Sequence, residues 1–256
     1  MKTLTVMTYN IRNAYGDRGE NAWENRKESL SGLISGRAPD IFCVQEAYEN
    51  QIAYLLESLP DYGYAGVGRD DGKTAGEYSA VFFRKARFRA ASQKTRWLSL
   101  TPDIPSAGWD AHHKRICTSA ILEEGGGCTL CAASVHLDHA GVLARQNGAR
   151  LLRSFFAGES AQCFIAGDYN AFVGSEPYNI LNAPPFFDAR LSSREYSDFG
   201  TFHGFGSKEF FKETPIDHIF FTAGAYRPLR AEILAVKRDG RYPSDHFPLL
   251  ISFVSD

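Results

Sequence analysis

Apolar residues recur along the chain in blocks of strand length: Leu4–Ile11, Asp40–Val44, Ser79–Arg84, Ile116–Leu122, Cys128–Leu137, Cys163–Gly167, Ile216–Thr222 and Phe247–Val254. Several are rich in Val, Ile and Phe and bounded by Gly, Asp or Pro, as strands are. Runs such as Ile41-Phe42-Cys43-Val44 are apolar at every position, which predicts strands covered on both faces. Three other segments carry the 3.6-residue period. Arg26–Gly36 sets Leu30, Leu33 and Ile34 on one face, Asn50–Leu59 sets Ile52, Leu55, Leu56 and Leu59 likewise, and Val142–Phe156 sets Leu143, Ala149, Leu152 and Phe156. Strands outnumber helices and alternate with them. The expected fold is therefore α/β, with sheets and helices packed outside them in a single domain over 1–256. The turn-rich stretches Gly68–Gly76, Thr101–Gly108 and Glu123–Gly127 are too short to be linkers.

Composition narrows the class. The chain has 256 residues, of which 44% are hydrophobic and 23% charged, which excludes a disordered chain. The net charge of −2 argues against holding duplex nucleic acid by bulk charge, while leaving room for a local basic groove. No apolar run is long enough to span a bilayer, so no membrane partner is expected. Met1–Asn10 lacks the apolar core of a leader, so a cytoplasmic protein is expected, a processed form being the other reading. Nothing in the chain calls for an obligate protein partner. Five cysteines, an odd number thinly spread, do not make a disulfide framework; Cys128 and Cys131 read as buried strand residues rather than half of a zinc site.

The polar residues of interest share one placement, at the ends of the apolar blocks. Asn10 follows Leu4–Tyr9, Gln45 and Glu46 follow Asp40–Val44, and His136, Asp138 and His139 end or follow Cys131–Val135. Asp168 and Asn170 follow Phe164–Gly167, Asp217 and His218 precede Ile219–Phe221, and Asp245 and His246 precede Phe247–Val254. Taken singly, each is an ordinary turn or capping residue. If the sheets bring these ends to one rim, carboxylates, amides and imidazoles meet there, which suits a hard divalent cation and phosphoryl transfer.

Six short motifs then carry a resemblance. Thr8-Tyr9-Asn10-Ile11, Val44-Gln45-Glu46, Ser134-Val135-His136-Leu137, Gly167-Asp168-Tyr169-Asn170, Ile216-Asp217-His218-Ile219-Phe220 and Ser244-Asp245-His246-Phe247-Pro248 resemble, in order, the successive motifs of the endonuclease/exonuclease/phosphatase superfamily. Together with Trp23-x-x-Arg26 and His136-Leu137-Asp138-His139, they are most similar to a branch of small bacterial members related to deadenylases and nocturnin-like phosphatases. The resemblance implies a four-layered α/β/β/α sandwich, two packed sheets flanked by helices, and Mg²⁺- or Mn²⁺-dependent hydrolysis of phosphate esters. It implies that Glu46 is the principal metal ligand, that Asn10 completes the metal shell and that Asp245 lies near the metal. Asp168 matches the residue that positions or deprotonates water, and Asn170 its amide neighbour. His136 and His246 match paired, protonated imidazoles flanking the phosphate, with Asp217 bonded to His246 and Glu77 the candidate for the same service to His136. Arg115 resembles a phosphate-facing arginine. Thr201-Phe202-His203-Gly204-Phe205 resembles a substrate-contacting loop, which makes His203 a substrate-binding candidate. Asp138 and His139 are not general to the superfamily; substrate contact, support behind the site, an extra metal contact and a purely structural role stay open for them.

The substrate is less specified. His112-His113-Lys114-Arg115 is basic, whereas Asp70-Asp71-Gly72-Lys73 and Asp103–Gly108 are not. A sugar or inositol phosphate or a short nucleotide fits that balance about as well as a polynucleotide. A non-catalytic protein that keeps the fold should have lost one of Glu46, Asp168, Asn170 or His246, and all four are present.

Overall fold

A computed structural model describes residues 2–125, 127–238 and 240–255. In chain order the elements are β1 (Thr3–Asn10), α1 (Trp23–Arg37), β2 (Ile41–Ala47), α2 (Glu49–Ser58), β3 (Tyr62–Ala65), β4 (Tyr78–Arg84), β5 (Phe88–Trp97), β6 (Ile116–Glu124), β7 (Cys128–His136), α3 (Val142–Phe156), β8 (Gln162–Asp168), α4 (Glu176–Leu181), β9 (Phe186–Asp188), β10 (Glu195–Tyr196), β11 (Asp217–Thr222), β12 (Tyr226–Ile233) and β13 (Leu249–Ser255). One sheet has the order β10-β12-β13-β1-β2-β4-β3 and the other β5-β6-β7-β8-β11-β9. Both are mixed: β1 runs parallel to β2 and β7 to β8, while β13 and β11 return antiparallel beside them.

The period of two along each central strand explains the layers. Leu4 and Val6, Ile41 and Cys43, Leu130 and Ala132, and Phe164 and Ala166 point into the space between the sheets. Their alternates on the first sheet, Met7, Tyr9, Phe42 and Val44, pack with Leu30, Ile34, Ile52 and Leu55 of α1 and α2. On the second sheet Cys131, Ala133, Val135, Cys163 and Ile165 pack with Leu152 and Phe156 of α3 and Leu181 of α4. Both sheet faces are covered, as the unbroken apolar runs predicted, and the result is the four-layered sandwich. All five cysteines are free; Cys131 is buried and pairs in register with Cys163 inside the sheet, so the buried-strand reading holds for Cys131, whereas Cys128 at the start of β7 is only half-buried. No helix among the described residues is long and apolar enough to cross a membrane.

The same alternation makes the site. Followed toward one rim, the inter-sheet positions become polar: Thr8 and Asn10 on β1, Gln45 on β2, Ser134 and His136 on β7, Asp168 on β8 and Asp217 on β11. Gln45 stitches the sheets below the rim, donating to Ser134 Oγ at 3.1 Å while Thr8 Oγ1 donates to Gln45 Oε1 at 3.3 Å. Register places Asp168 directly between His136 and Asp217. Gly167 permits this: a Cβ there would lie 2.0 Å from the Val135 carbonyl oxygen. Gly167→Ala should therefore cost roughly 3 kcal/mol, a fall in Tm of about 6–12 °C in a thermal melt, with the losses centred on the β7–β8 pair.

Candidate active site

The polar strand ends open into one cleft of about 360 Å³. Glu46 enters it because the β2–β4 pairing slips between Val44 and Ala47 and Glu46 adopts a left-handed φ of 63°. Such conformations in non-glycine residues are costly and cluster at functional sites. Its Oε1 accepts from Asn10 Nδ2 at 3.0 Å, and its Oε2 from the Asn13 backbone and side-chain nitrogens, both at 3.2 Å. Burial opposes ionisation of Glu46, but Asn10, His246 and Arg12 outweigh it and keep the carboxyl below its usual range. Asn10 Nδ2 also donates to Asp168 Oδ2 at 3.0 Å, so one amide joins the two carboxylates.

Asp168 is 2% exposed. Burial, then the charge of Asp217, pushes its pKa up to about 7. The Asn170 backbone N–H donates to Asp168 Oδ1 at 2.9 Å, and Asn170, itself at φ 46°, places Nδ2 3.2 Å from His136 Nε2. His136 Nε2 lies 3.4 Å from Asp168 Oδ2, and His246 Nε2 3.8 Å from the same oxygen. Behind His246, Nδ1 is bonded to Asp217 Oδ2 at 2.8 Å. Burial alone would lower the His246 pKa, but Asp217, Asp168 and Asp245 raise it to about 10. His136 goes the other way: burial, Arg115 and Arg69 hold it well below its usual value. The two imidazoles are therefore unlike at neutral pH, one charged and one neutral, which revises the expectation of a protonated pair.

The charge balance of the cleft fits a hard cation. Four carboxylates line it, those of Glu46, Glu77, Asp168 and Asp245, against Arg12 and Arg115. Both arginines are committed elsewhere, Arg12 Nε to Asp17 at 2.7 Å and Arg115 Nε to Asp138 at 3.1 Å. Glu46 and Asp245 are approached only at 3.9 and 3.8 Å by Arg12. These two carboxylates are hard oxygen donors suited to Mg²⁺ or Mn²⁺, while Asn10 turns Nδ2 to Glu46 and Asp168 and its Oδ1 accepts from the Arg12 N–H at 3.1 Å. The ligand atoms of Asp168, Asp217 and His246 also lie within 4.8 Å of one another. That trio is the poorer cation site, because His246 Nδ1 is already bonded to Asp217, which does not line the cleft.

The model of the endonuclease/exonuclease/phosphatase family matches residues 7–246. The chain belongs to this family. A mannosyl-6-phosphatase of Bacteroides thetaiotaomicron is 33% identical and superposes with a TM-score of 0.89, over 98% of this chain and 99% of its own. A second family protein from that organism, also 33% identical, has a TM-score of 0.93 over 100% and 98% of the two chains. Mouse tyrosyl-DNA phosphodiesterase 2 is 25% identical over 97% of this chain but 65% of its own, and Drosophila melanogaster nocturnin 24% identical over 90% but 42%. The chain thus spans less than two thirds of these last two relatives.

Most of the residues singled out by the family motifs meet in the cleft: Glu46, Glu77, Arg115, His136, Asp168, Asn170, Asp245 and His246 line it, and Asn10 and Asp217 touch lining residues. Three expectations are corrected. Glu77 bonds Arg69, not His136, because the turn before β4 brings Arg69 alongside it. Asp138 does not face substrate: its side chain is wholly buried, accepting from Arg115 Nε and from the backbone N–H groups of His113, Ala140 and Gly141. His203 is 0% exposed and stacks on Phe247 at 3.9 Å; its neighbour Phe202 lines the cleft instead. Arg12, Asn13 and Arg69 were not singled out. For Arg12 and Asn13 a signal existed, since they directly follow Asn10 at the end of β1. Arg69 had none.

Proposed function

We propose that the protein hydrolyses esters of a single phosphate group on a small molecule, with one divalent cation, Mg²⁺ or Mn²⁺, held by Glu46 and Asp245 and with Asn10 orienting Glu46 beside it. The observation that carries this reading is the unbroken chain of contacts Glu46–Asn10–Asp168–His246–Asp217 at one cleft. The cation, when bound, supplies positive charge to a phosphoryl oxygen. Asp168, poised near neutrality, takes a proton from the attacking water. Asn10 and the Asn170 backbone fix the carboxylate that does so. His246, kept charged by Asp217, donates from Nε2 to the oxygen on which negative charge grows. Neutral His136 holds Asn170 in place through Nε2. The likeness to a mannosyl-6-phosphatase supports a monoester.

The test is hydrolysis of p-nitrophenyl phosphate and bis-p-nitrophenyl phosphate with and without Mg²⁺ or Mn²⁺. The expected result is turnover of the monoester that EDTA abolishes and added metal restores. Glu46→Gln should weaken Mg²⁺ binding by about tenfold or more in calorimetry while the thermal midpoint holds. Metal-independent turnover, or unchanged Mg²⁺ affinity in that variant, would refute the reading.

A further inference from the structure

Beside the catalytic groups the cleft has a second polar wall that the proposed chemistry does not use. It is made of Glu77, His113 and His139, with Arg69 and Arg115 behind them. The wall is built, not incidental. Asp138 spends its carboxylate tying the loop of His113 to the loop of His139, at 3.2 Å to the His113 N–H and 3.0 and 2.8 Å to those of Ala140 and Gly141. Asp110 adds a second tie, accepting from the Leu143 and Ala144 N–H groups at 3.2 and 2.7 Å.

Each group on the wall keeps one hydrogen-bonding atom unspent. Arg115 is 5% exposed; its Nε goes to Asp138 and its Nη2 to His139 Nδ1 at 3.1 Å, while Nη1 is buried with no partner. An arginine has only donors, so His139 Nδ1 must accept and its Nε2 carries the proton. His113 uses Nε2 on His112 at 3.0 Å, which leaves Nδ1. Glu77 gives Oε2 to Arg69, which leaves Oε1. Burial, Arg69 and Arg115 lower His113 to about 4, and burial and Arg115 lower His139, so both rings are neutral at pH 7.

We propose that Glu77, His113, His139 and Arg115 form a subsite that reads the hydroxyl groups of the substrate's alcohol portion, making a sugar or polyol phosphate the preferred ester. This rests on the phosphate-ester reading above. A hydroxyl both donates and accepts, and this wall offers donors and an acceptor side by side. Arg115 Nη2 fixes the tautomer of His139, so that its Nε2–H is the donor on offer. A second phosphate would face Glu77. A nucleobase would want an aromatic face; among the described residues lining the cleft, Phe202 is the one carbocyclic ring, and it packs on His246 at 4.9 Å.

The experiment compares kcat/KM for mannose 6-phosphate, glucose 6-phosphate, their deoxy analogues, p-nitrophenyl phosphate and an oligoadenylate, all with Mg²⁺. The wild-type protein should prefer a hexose phosphate over p-nitrophenyl phosphate, and removal of at least one sugar hydroxyl should lower kcat/KM tenfold, mainly through KM. In His113→Ala and Glu77→Gln the ratio of hexose phosphate to p-nitrophenyl phosphate kcat/KM should fall at least tenfold. The deoxy series uses only wild-type protein, so it decides the matter even if a variant does not fold. Turnover of p-nitrophenyl phosphate with no hexose preference, a flat deoxy series, or preference for the oligoadenylate would overturn the subsite and leave the phosphate-ester reading standing. No turnover of any ester with Mg²⁺ or Mn²⁺ would overturn both.

Discussion

Asp168→Asn is expected to lower kcat by about 10³, within the ~10²–10⁴ that a positioned proton acceptor contributes. The amide retains an oxygen for the Asn170 N–H but cannot take a proton. Stability should not fall with activity. Burial and Asp217 disfavour the charge of Asp168, so neutralising it relieves that repulsion and offsets the lost bond from Asn10 Nδ2, and the Tm should stay roughly level. The pH profile supplies a second check. Because the Asp168 pKa is raised to about 7, its proton-accepting form is lost as pH falls through 7. Wild-type kcat/KM should therefore drop about tenfold per pH unit on the acid side, with the limb displaced downward by the charge of a bound cation. The variant should lack that limb. Single-turnover rates within a few-fold of wild type would refute the role.

The fold was legible wherever burial on both faces wrote itself into composition. The eight apolar blocks all became strands, and the three periodic segments became α1, α2 and α3, with ends displaced by a residue or a few. What was not legible had lost that signal. β5 is an edge strand whose middle, Arg89–Lys94, is exposed, so it carries no alternation. β12 contains Pro228, accommodated by a bulge between Pro228 and Arg230. α4 spans only six residues, below two turns.

The site divides in the same way. Residues at strand ends were readable because alternation continues through the apolar block to its last polar position: Leu4, Val6, Thr8 and Asn10 share a face, as do Phe164, Ala166 and Asp168. Residues whose neighbours come from distant loops were not. Glu77 took Arg69 as partner and Asp138 took Arg115, and neither pairing follows from spacing, because both depend on how the turns before β4 and β6 fold back. Where β1 and β8 end, Tyr9 and Tyr169 are both buried on outer faces, while Asn10 and Asp168 meet between the sheets.

Asp217 and His246 come from elements 29 residues apart and meet at 2.8 Å. That pairing predicts non-additive losses. Asp217→Asn and His246→Gln should each lower kcat by about 10²–10³, the cost of losing one donor aimed at a developing charge. With Asp217 neutral, burial, the largest influence on His246, is less opposed, and the imidazole loses its proton at a lower pH. In wild type the charged form persists until pH rises through about 10, so activity should fall only on that alkaline side. In Asp217→Asn the alkaline limb should move downward. The double variant should then be little worse than either single one, because a neutral His246 and an absent one fail in the same way. Fully additive losses in the cycle, or an alkaline limb that Asp217→Asn does not move, would show that the two side chains act independently. Asp217 Oδ1 is buried without a partner, so the carboxylate has no second bond to hold it once His246 is gone.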